Sequence, residues 1–157
     1  MKTKILFICM GNICRSPTAE GCMTRHIMQQ DVTHLFEIDS AGTIGYHVGE
    51  APDSRSQQYA LTMGVDLSLQ KSRKVSDKDF FNFDHLIAMD IDNLNSLKNS
   101  QPQNSTAKIS LLTDWLKKSD YKDVPDPYYG SGNGFKTVFN LVNDATLSLL
   151  EQLKPRG

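Results

Sequence analysis

Cys9-Met10-Gly11-Asn12-Ile13-Cys14-Arg15-Ser16-Pro17 follows directly on the apolar run Ile5–Ile8. A cysteine, five residues and an arginine thus sit between a strand-like segment and a proline, a residue favoured in the first turn of a helix. Strand, loop and helix in that order put Cys9 at the carboxyl end of a strand, beneath a ring of backbone N–H groups. A loop feeding a helix N-terminus is an anion site, because unpaired amides and the helix dipole point at whatever occupies it. The same field is expected to lower the thiol pKa of Cys9 and make it a nucleophile. Arg15 adds a planar fork of donors that matches two phosphate oxygens, which a lysine does not. Phosphate held beside an activated sulfur implies phosphoryl transfer to cysteine. The plainer alternative is a buried strand-end thiol, since free cysteine is commonly a small core residue. Gly11, Asn12, Arg15, Ser16 and Pro17 all suit a tight phosphate loop, and a core cysteine needs none of them.

Outward from this segment, apolar stretches alternate with helical patterns. Lys4–Ile8, Leu35–Asp39, His85–Met89 and Ala107–Ser110 are expected strands. Helices are expected over Pro17–Gln30, over Asp53–Met63 with a stop at Gly64, over Asp90–Leu97, and near the C-terminus. In the last of these Phe135, Val138, Phe139, Val142, Ala145, Leu149 and Leu153 share one face. Ser76-Asp77-Lys78-Asp79 resembles a capping box before Phe80. Strands alternating with helices imply right-handed βαβ units, a parallel sheet and an α/β, doubly wound fold. Ligands of such sheets bind at the carboxyl ends of strands, where Cys9 falls.

The chain has 157 residues, enough for one domain spanning 1–157. Its 17 basic and 18 acidic residues nearly balance, so no electrostatic footprint favours nucleic acid or a membrane surface. No apolar run approaches membrane-spanning length. Three cysteines, Cys9, Cys14 and Cys22, without a C-x-x-C argue against a disulfide framework or zinc site, and point to the cytoplasm. His26, His34, His47 and His85 show no spacing that suggests metal or triad chemistry.

A second segment, Val124-Pro125-Asp126-Pro127-Tyr128-Tyr129-Gly130, brackets an aspartate between prolines and follows it with two aromatics. A phenol has a pKa of about 10, so expelling a phenolate is helped by a nearby acid. Asp126 is the candidate acid, kept protonated by desolvation and by the phosphate's charge. Taken alone, the same residues fit an Asp-Pro surface turn.

With these residues in place, the chain resembles the low-molecular-weight protein tyrosine phosphatase family from Met1 almost to its end. The resemblance rests on Cys9–Pro17, Asp39-Ser40-Ala41-Gly42-Thr43, Tyr46-His47-Val48-Gly49 and Asp126–Tyr129. It implies a four-stranded parallel sheet flanked by helices in a three-layer sandwich, a two-step hydrolysis, and neither metal nor cofactor. The roles it implies are Cys9 as nucleophile through a phosphocysteine intermediate, Arg15 as phosphate clamp and Asp126 as general acid, then base. Loop amides of Met10, Gly11, Asn12, Ile13, Cys14 and Arg15 bind phosphate oxygens. Ser16 is expected to donate to the Cys9 sulfur, and Asn12 to anchor the loop with Ser40 as partner. Ile13, Tyr46, Tyr128 and Tyr129 are expected to wall the entrance, the bland alternative for each tyrosine being a packed surface aromatic. Cys14 is a candidate redox partner that would form a disulfide with Cys9 and protect it from irreversible oxidation. His47 is near the site only through its family position. One departure from the pattern is Gln70, at a position where the family often carries a histidine supporting the loop.

The partners implied are tyrosine-phosphorylated proteins and a cognate tyrosine kinase, with inorganic phosphate or other oxyanions as competing ligands. Thiol-dependent arsenate reductases share C-x5-R, but those of the nearest type use two further downstream cysteines, and none follows Cys22. A protein-arginine phosphatase is disfavoured by Ile13, where that group tends to carry threonine, and by Tyr128-Tyr129. A phosphoprotein-binding module needs neither the nucleophile nor the acid.

Overall fold

The computed structural model describes residues 1–127 and 133–155. Four strands, β1 (Thr3–Cys9), β2 (Phe36–Gly42), β3 (His85–Ala88) and β4 (Lys108–Leu111), form one sheet in the order β2-β1-β3-β4. Every pairing is parallel, and the register sets Cys9 beside Gly42 and Ala88 beside both Ile8 and Leu111. The helices are α1 (Arg15–Gln29), α2 (Ser54–Thr62), α3 (Asp79–Asn82), α4 (Ile91–Ser100) and α5 (Gly134–Leu153). The expected α/β sheet with flanking helices is the one found.

Strand β1 shows why the sheet is buried on both faces. Its side chains alternate, so Ile5, Phe7 and Cys9 enter the core formed with α1 and α5, while Leu6 and Ile8 enter the core formed with Phe80, Phe83 and Leu97. Helices α1, α2 and α5 therefore cover one face, and α3 and α4 the other. In α5, Val138, Phe139, Val142, Ala145 and Leu149 are buried, while Phe135 and Leu153 lie at the edge of that stripe. Thr146 joins the buried set because its hydroxyl donates to the Val142 carbonyl one turn back.

Two helix starts differ from expectation for physical reasons. Helix α1 starts two residues before Pro17, which still falls in the first turn where a missing N–H costs nothing. Ser76 does not cap a helix: α3 begins only at Asp79, whose carboxylate accepts from the Ser76 N–H but is also held by Arg73. The reciprocal capping box is instead at α4, where Asp90 accepts from the Asn93 N–H and the Asn93 side chain accepts from the Asp90 N–H. Gly64 does stop α2, with φ of +84°, a backbone region that favours glycine. No helix among the described residues is long and apolar enough to cross a membrane.

Candidate active site

The loop between β1 and α1 is shaped by what its carbonyl groups do. The carbonyl of Cys9 accepts from the Thr43 N–H, and that of Met10 from the Ile44 N–H. The Gly11 carbonyl accepts from the Ser72 hydroxyl, the Ile13 carbonyl from the Asp53 N–H, and the Cys14 carbonyl from the Thr18 N–H and hydroxyl. Carbonyls drawn outward by external donors leave the intervening amides facing inward. The Asn12 N–H points at the Cys9 sulfur, 3.3 Å away. This turn requires a left-handed residue, and Asn12, with φ of 58°, tolerates it better than most. Its side chain fastens the turn on three sides. The Asn12 amide donates to Ser16 Oγ (2.8 Å) and Ser40 Oγ (3.0 Å), and its carbonyl oxygen accepts from the Arg73 N–H (3.0 Å). Close approach matters at β2 as well: a Cβ on Gly42 would come within 2.7 Å of the Met10 carbonyl oxygen.

Cys9 is buried, and Ser16 Oγ lies 3.0 Å from its sulfur. Because Ser16 Oγ already accepts from Asn12, its proton is available to the sulfur. Arg15, the first residue of α1, is 4% exposed and reaches across the carboxyl ends of the strands. Its Nη1 donates to Asp90 Oδ2 (2.6 Å) and to the Val124 carbonyl (3.2 Å), and its Nη2 is 3.7 Å from Asp126 Oδ2. Burial works against the Arg15 charge, but Cys9, Asp90 and Asp126 outweigh it and hold the pKa above the ordinary arginine value. Asp126 is carried by a segment pinned at Val124, whose N–H donates to the Met89 carbonyl just beyond β3.

These groups meet in a cavity of about 70 Å³ lined by Cys9, Met10, Gly11, Ile13, Cys14, Arg15, Ile44, His47 and Asp126. Cys9, Arg15 and Asp126, 117 residues apart at the extremes, converge there. Tyr46 is highly exposed and is not among the residues lining the cavity; its ring stands edge-on to His47 with centroids 4.8 Å apart. Tyr128 and Tyr129 lie outside the described residues.

Several contributors carry no signal near the loop in sequence. Asp90, Ser72 and Arg73 engage the loop or Arg15 from 61 to 75 residues away. His47, expected only by family position, lines the cavity with Nδ1 2.6 Å from Glu50 Oε2. Cys14 is buried, its sulfur accepting from the Ser56 hydroxyl at 3.0 Å, and burial above all pushes its thiol up to about 12. Gln70 holds the helix side of the loop by donating from Nε2 to the Pro17 carbonyl, and its Oε1 is buried without a partner. Among the described residues, no group of His, Cys, Asp and Glu is arranged to hold a metal ion.

A family model described as low molecular weight phosphotyrosine protein phosphatase matches residues 4–156. The low molecular weight protein-tyrosine-phosphatase YfkJ of Bacillus subtilis is 37% identical over 150 residues, covering 96% of this chain and 95% of that protein. A crystal structure of a protein tyrosine phosphatase from Entamoeba histolytica, with Hepes in the active site, superposes with a TM-score of 0.92 at 39% identity over 97% of each chain. A Drosophila protein described as an arginine phosphatase superposes with a TM-score of 0.90 at 30% identity over the whole of both chains.

Proposed function

The chain belongs to the low molecular weight phosphotyrosine protein phosphatase family, and from that premise we propose that it hydrolyses phosphotyrosine in proteins through a phosphocysteine on Cys9. The observation that carries this reading is the inward-facing amide loop closed over the Cys9 sulfur, with Arg15 and Asp126 in the same cavity. The loop amides and Arg15 bind the three equatorial oxygens of the phosphoryl group and stabilise the charge spreading over them. The Cys9 sulfur attacks phosphorus in line while Asp126 gives its proton to the departing tyrosine oxygen. A sulfur–phosphorus bond forms as the phosphorus–oxygen bond breaks. Asp126, now a carboxylate, takes a proton from water, whose oxygen displaces the sulfur and releases inorganic phosphate. Ser16 donates its hydroxyl proton to the sulfur while it carries charge, both before attack and on departure.

Ile13 and Ile44 give the cavity apolar walls, which suit an aromatic ring. With Tyr46 against His47, and with Tyr128 and Tyr129 following Asp126 in sequence, they favour a substrate long enough to bring its phosphate down to Cys9, as phosphotyrosine does and phosphoserine does not. Phosphoarginine is the second reading, favoured by the likeness to the Drosophila protein and opposed by the isoleucine at position 13. The chain is read as one catalytic unit over 1–157, acting in the cytoplasm on tyrosine-phosphorylated proteins and opposing a cognate tyrosine kinase. Phosphate and similar oxyanions compete for the loop. The test is a panel of phosphotyrosine, phosphoserine and phosphoarginine peptides, with rapid quenching to trap phosphorus on Cys9. Selective phosphotyrosine turnover, abolished by Cys9→Ser, is expected; turnover of phosphoarginine in preference, or no phosphorus on the sulfur, overturns the reading.

A further inference from the structure

Behind the loop, on the side away from the substrate cavity, a line of hydrogen bonds runs from the nucleophile to the protein surface. From Cys9 Sγ it passes to Ser16 Oγ (3.0 Å), Asn12 Nδ2 (2.8 Å), Ser40 Oγ (3.0 Å) and finally Glu20 Oε1 (2.7 Å). Asn12, Ser16 and Ser40 are all buried. Glu20 is partly buried on α1 and lines an open surface groove of about 590 Å³ that also touches Arg25, Asp66 and Gln70. The outer end of the line can therefore exchange protons with water without passing through the substrate cavity.

The directions along this line are interdependent. The Asn12 side-chain amide is oriented by the Arg73 N–H, so its two protons go to Ser40 and Ser16. Ser40 must then send its own proton elsewhere, and Glu20 is the acceptor it meets. A carboxylate only accepts, so it allows a single arrangement in which every proton has a place and the Ser16 proton faces sulfur. A protonated Glu20 that donates to Ser40 Oγ, 2.7 Å away, leaves the buried Ser40 proton without its acceptor. The loop then loses a fastening in a buried setting, where an unmatched donor is costly.

We propose that Glu20 is a positioning residue for the reaction: as a carboxylate it holds the Ser40 hydroxyl so that Ser40 Oγ accepts from Asn12, and so keeps the Asn12 turn and Ser16 seated beside the Cys9 sulfur. The proposal rests on the reading of Cys9 as nucleophile. The groups that act on Glu20 come from several elements. Ser40 donates to it and Asp39 repels it from β2, Arg73 attracts it from the segment after α2, and Asp66 shares its groove. Arg25, one turn along α1, is turned to the Met63 carbonyl and to Asn143. Burial, assisted by Asp39 and opposed by Ser40 and Arg73, raises the Glu20 carboxyl to about 7. The arrangement is thus half switched near neutrality.

The test compares the full chain with Glu20→Gln and Glu20→Met, measuring kcat and KM for a phosphotyrosine peptide from pH 6 to pH 8. The ionised fraction of a group titrating at about 7 falls roughly tenfold over that interval. Glutamine keeps an acceptor for Ser40 but cannot titrate. It is expected to lower kcat about two- to threefold at pH 8 as a weaker acceptor, with its kcat relative to wild type climbing roughly three- to tenfold by pH 6. Methionine removes the acceptor and is expected to lower kcat about tenfold at pH 8, the deficit against wild type shrinking towards pH 6, with KM changed less than twofold. A Glu20→Gln to wild-type ratio that does not vary with pH, or a glutamine variant as impaired as the methionine one, overturns the proposal. Alkylation of Cys9 by iodoacetamide in the same samples separates the two readings. Wild type that neither alkylates at Cys9 nor turns over the peptide fails at the nucleophile, whereas normal alkylation and turnover with superimposable profiles fails only at Glu20.

Discussion

Arg15 is held between two carboxylates of different standing. Asp90 takes a short hydrogen bond from Nη1, while Asp126 lies 3.7 Å from Nη2 in the cavity itself. Asp90 therefore orients the guanidinium, and Asp126 is the carboxylate to which the proposed mechanism gives the proton transfer. Asp126→Asn is expected to reduce kcat for phosphotyrosine by about 10²–10⁴, with a much smaller loss for an aryl phosphate whose leaving group needs no proton. Equal losses on both substrates would show that the residue is not the acid. Burial pushes the Cys14 thiol up to about 12, against the Ser56 hydroxyl, whose hydrogen bond to the sulfur favours the thiolate. After one equivalent of peroxide, closure of a Cys9–Cys14 bridge is expected to accelerate about tenfold per pH unit, since the thiolate fraction of Cys14 sets the rate. Dimedone trapping of the Cys9 sulfenic acid against time, with peptide mapping, measures this. Cys9, Asn12, Arg15 and Ser16 were legible in sequence because the phosphate loop is local, its chemistry set by nine adjacent residues. Asp90, Glu20 and Ser56 were not. Each is an ordinary polar residue whose role comes from a partner brought close only by the sheet.

At the level of elements, the loop depends on β2 as much as on β1. Thr43 and Ile44, just past the end of β2, donate to the Cys9 and Met10 carbonyls, and Gly42 passes so near Met10 that it has no room for a side chain. Gly42→Ala is expected to push the Met10 carbonyl aside, costing about 1–3 kcal/mol of stability and about tenfold or more in kcat/KM. Chemical denaturation together with steady-state kinetics reads both effects. Wild-type kinetics in a destabilised variant would mean that the loop does not transmit the shift. The strands and α5 were readable because each carries an unambiguous period, two for β1 and between three and four for α5. The misread element was α3. Ser76 and Asp79 have the spacing of a cap, but the Asp79 carboxylate is engaged by Arg73, a tertiary contact that spacing does not encode.

Across the whole molecule, two buried titratable groups tilt stability in opposite directions. Glu20 has its folded pKa raised by burial, so its stabilising contribution is present below about pH 4.3, its ordinary range, and is lost as pH rises through about 7. His26 sits in the seam between α1 and α5, its Nε2 within hydrogen-bond distance of the Asn143 carbonyl and of Thr146. Burial lowers its pKa, so the folded state binds fewer protons than the unfolded one, and stability falls as pH drops through about 6.5. Glu20→Gln is accordingly expected to raise the midpoint of thermal unfolding relative to wild type at pH 8 but not at pH 4, and calorimetry at the two values tests it. A gain of the same size at both would mean that packing rather than ionisation is responsible.

The outward-turned carbonyls of the phosphate loop have a consequence for turnover. Five of them are bonded to neighbouring segments that do not belong to the loop, and those bonds form when the chain folds. In the proposed reaction an incoming oxyanion then meets amides already aimed at it and need not organise them. The loss of backbone freedom that such a cradle demands falls once in a molecule's lifetime rather than at every catalytic cycle, and departing phosphate leaves the cradle standing for the next ester.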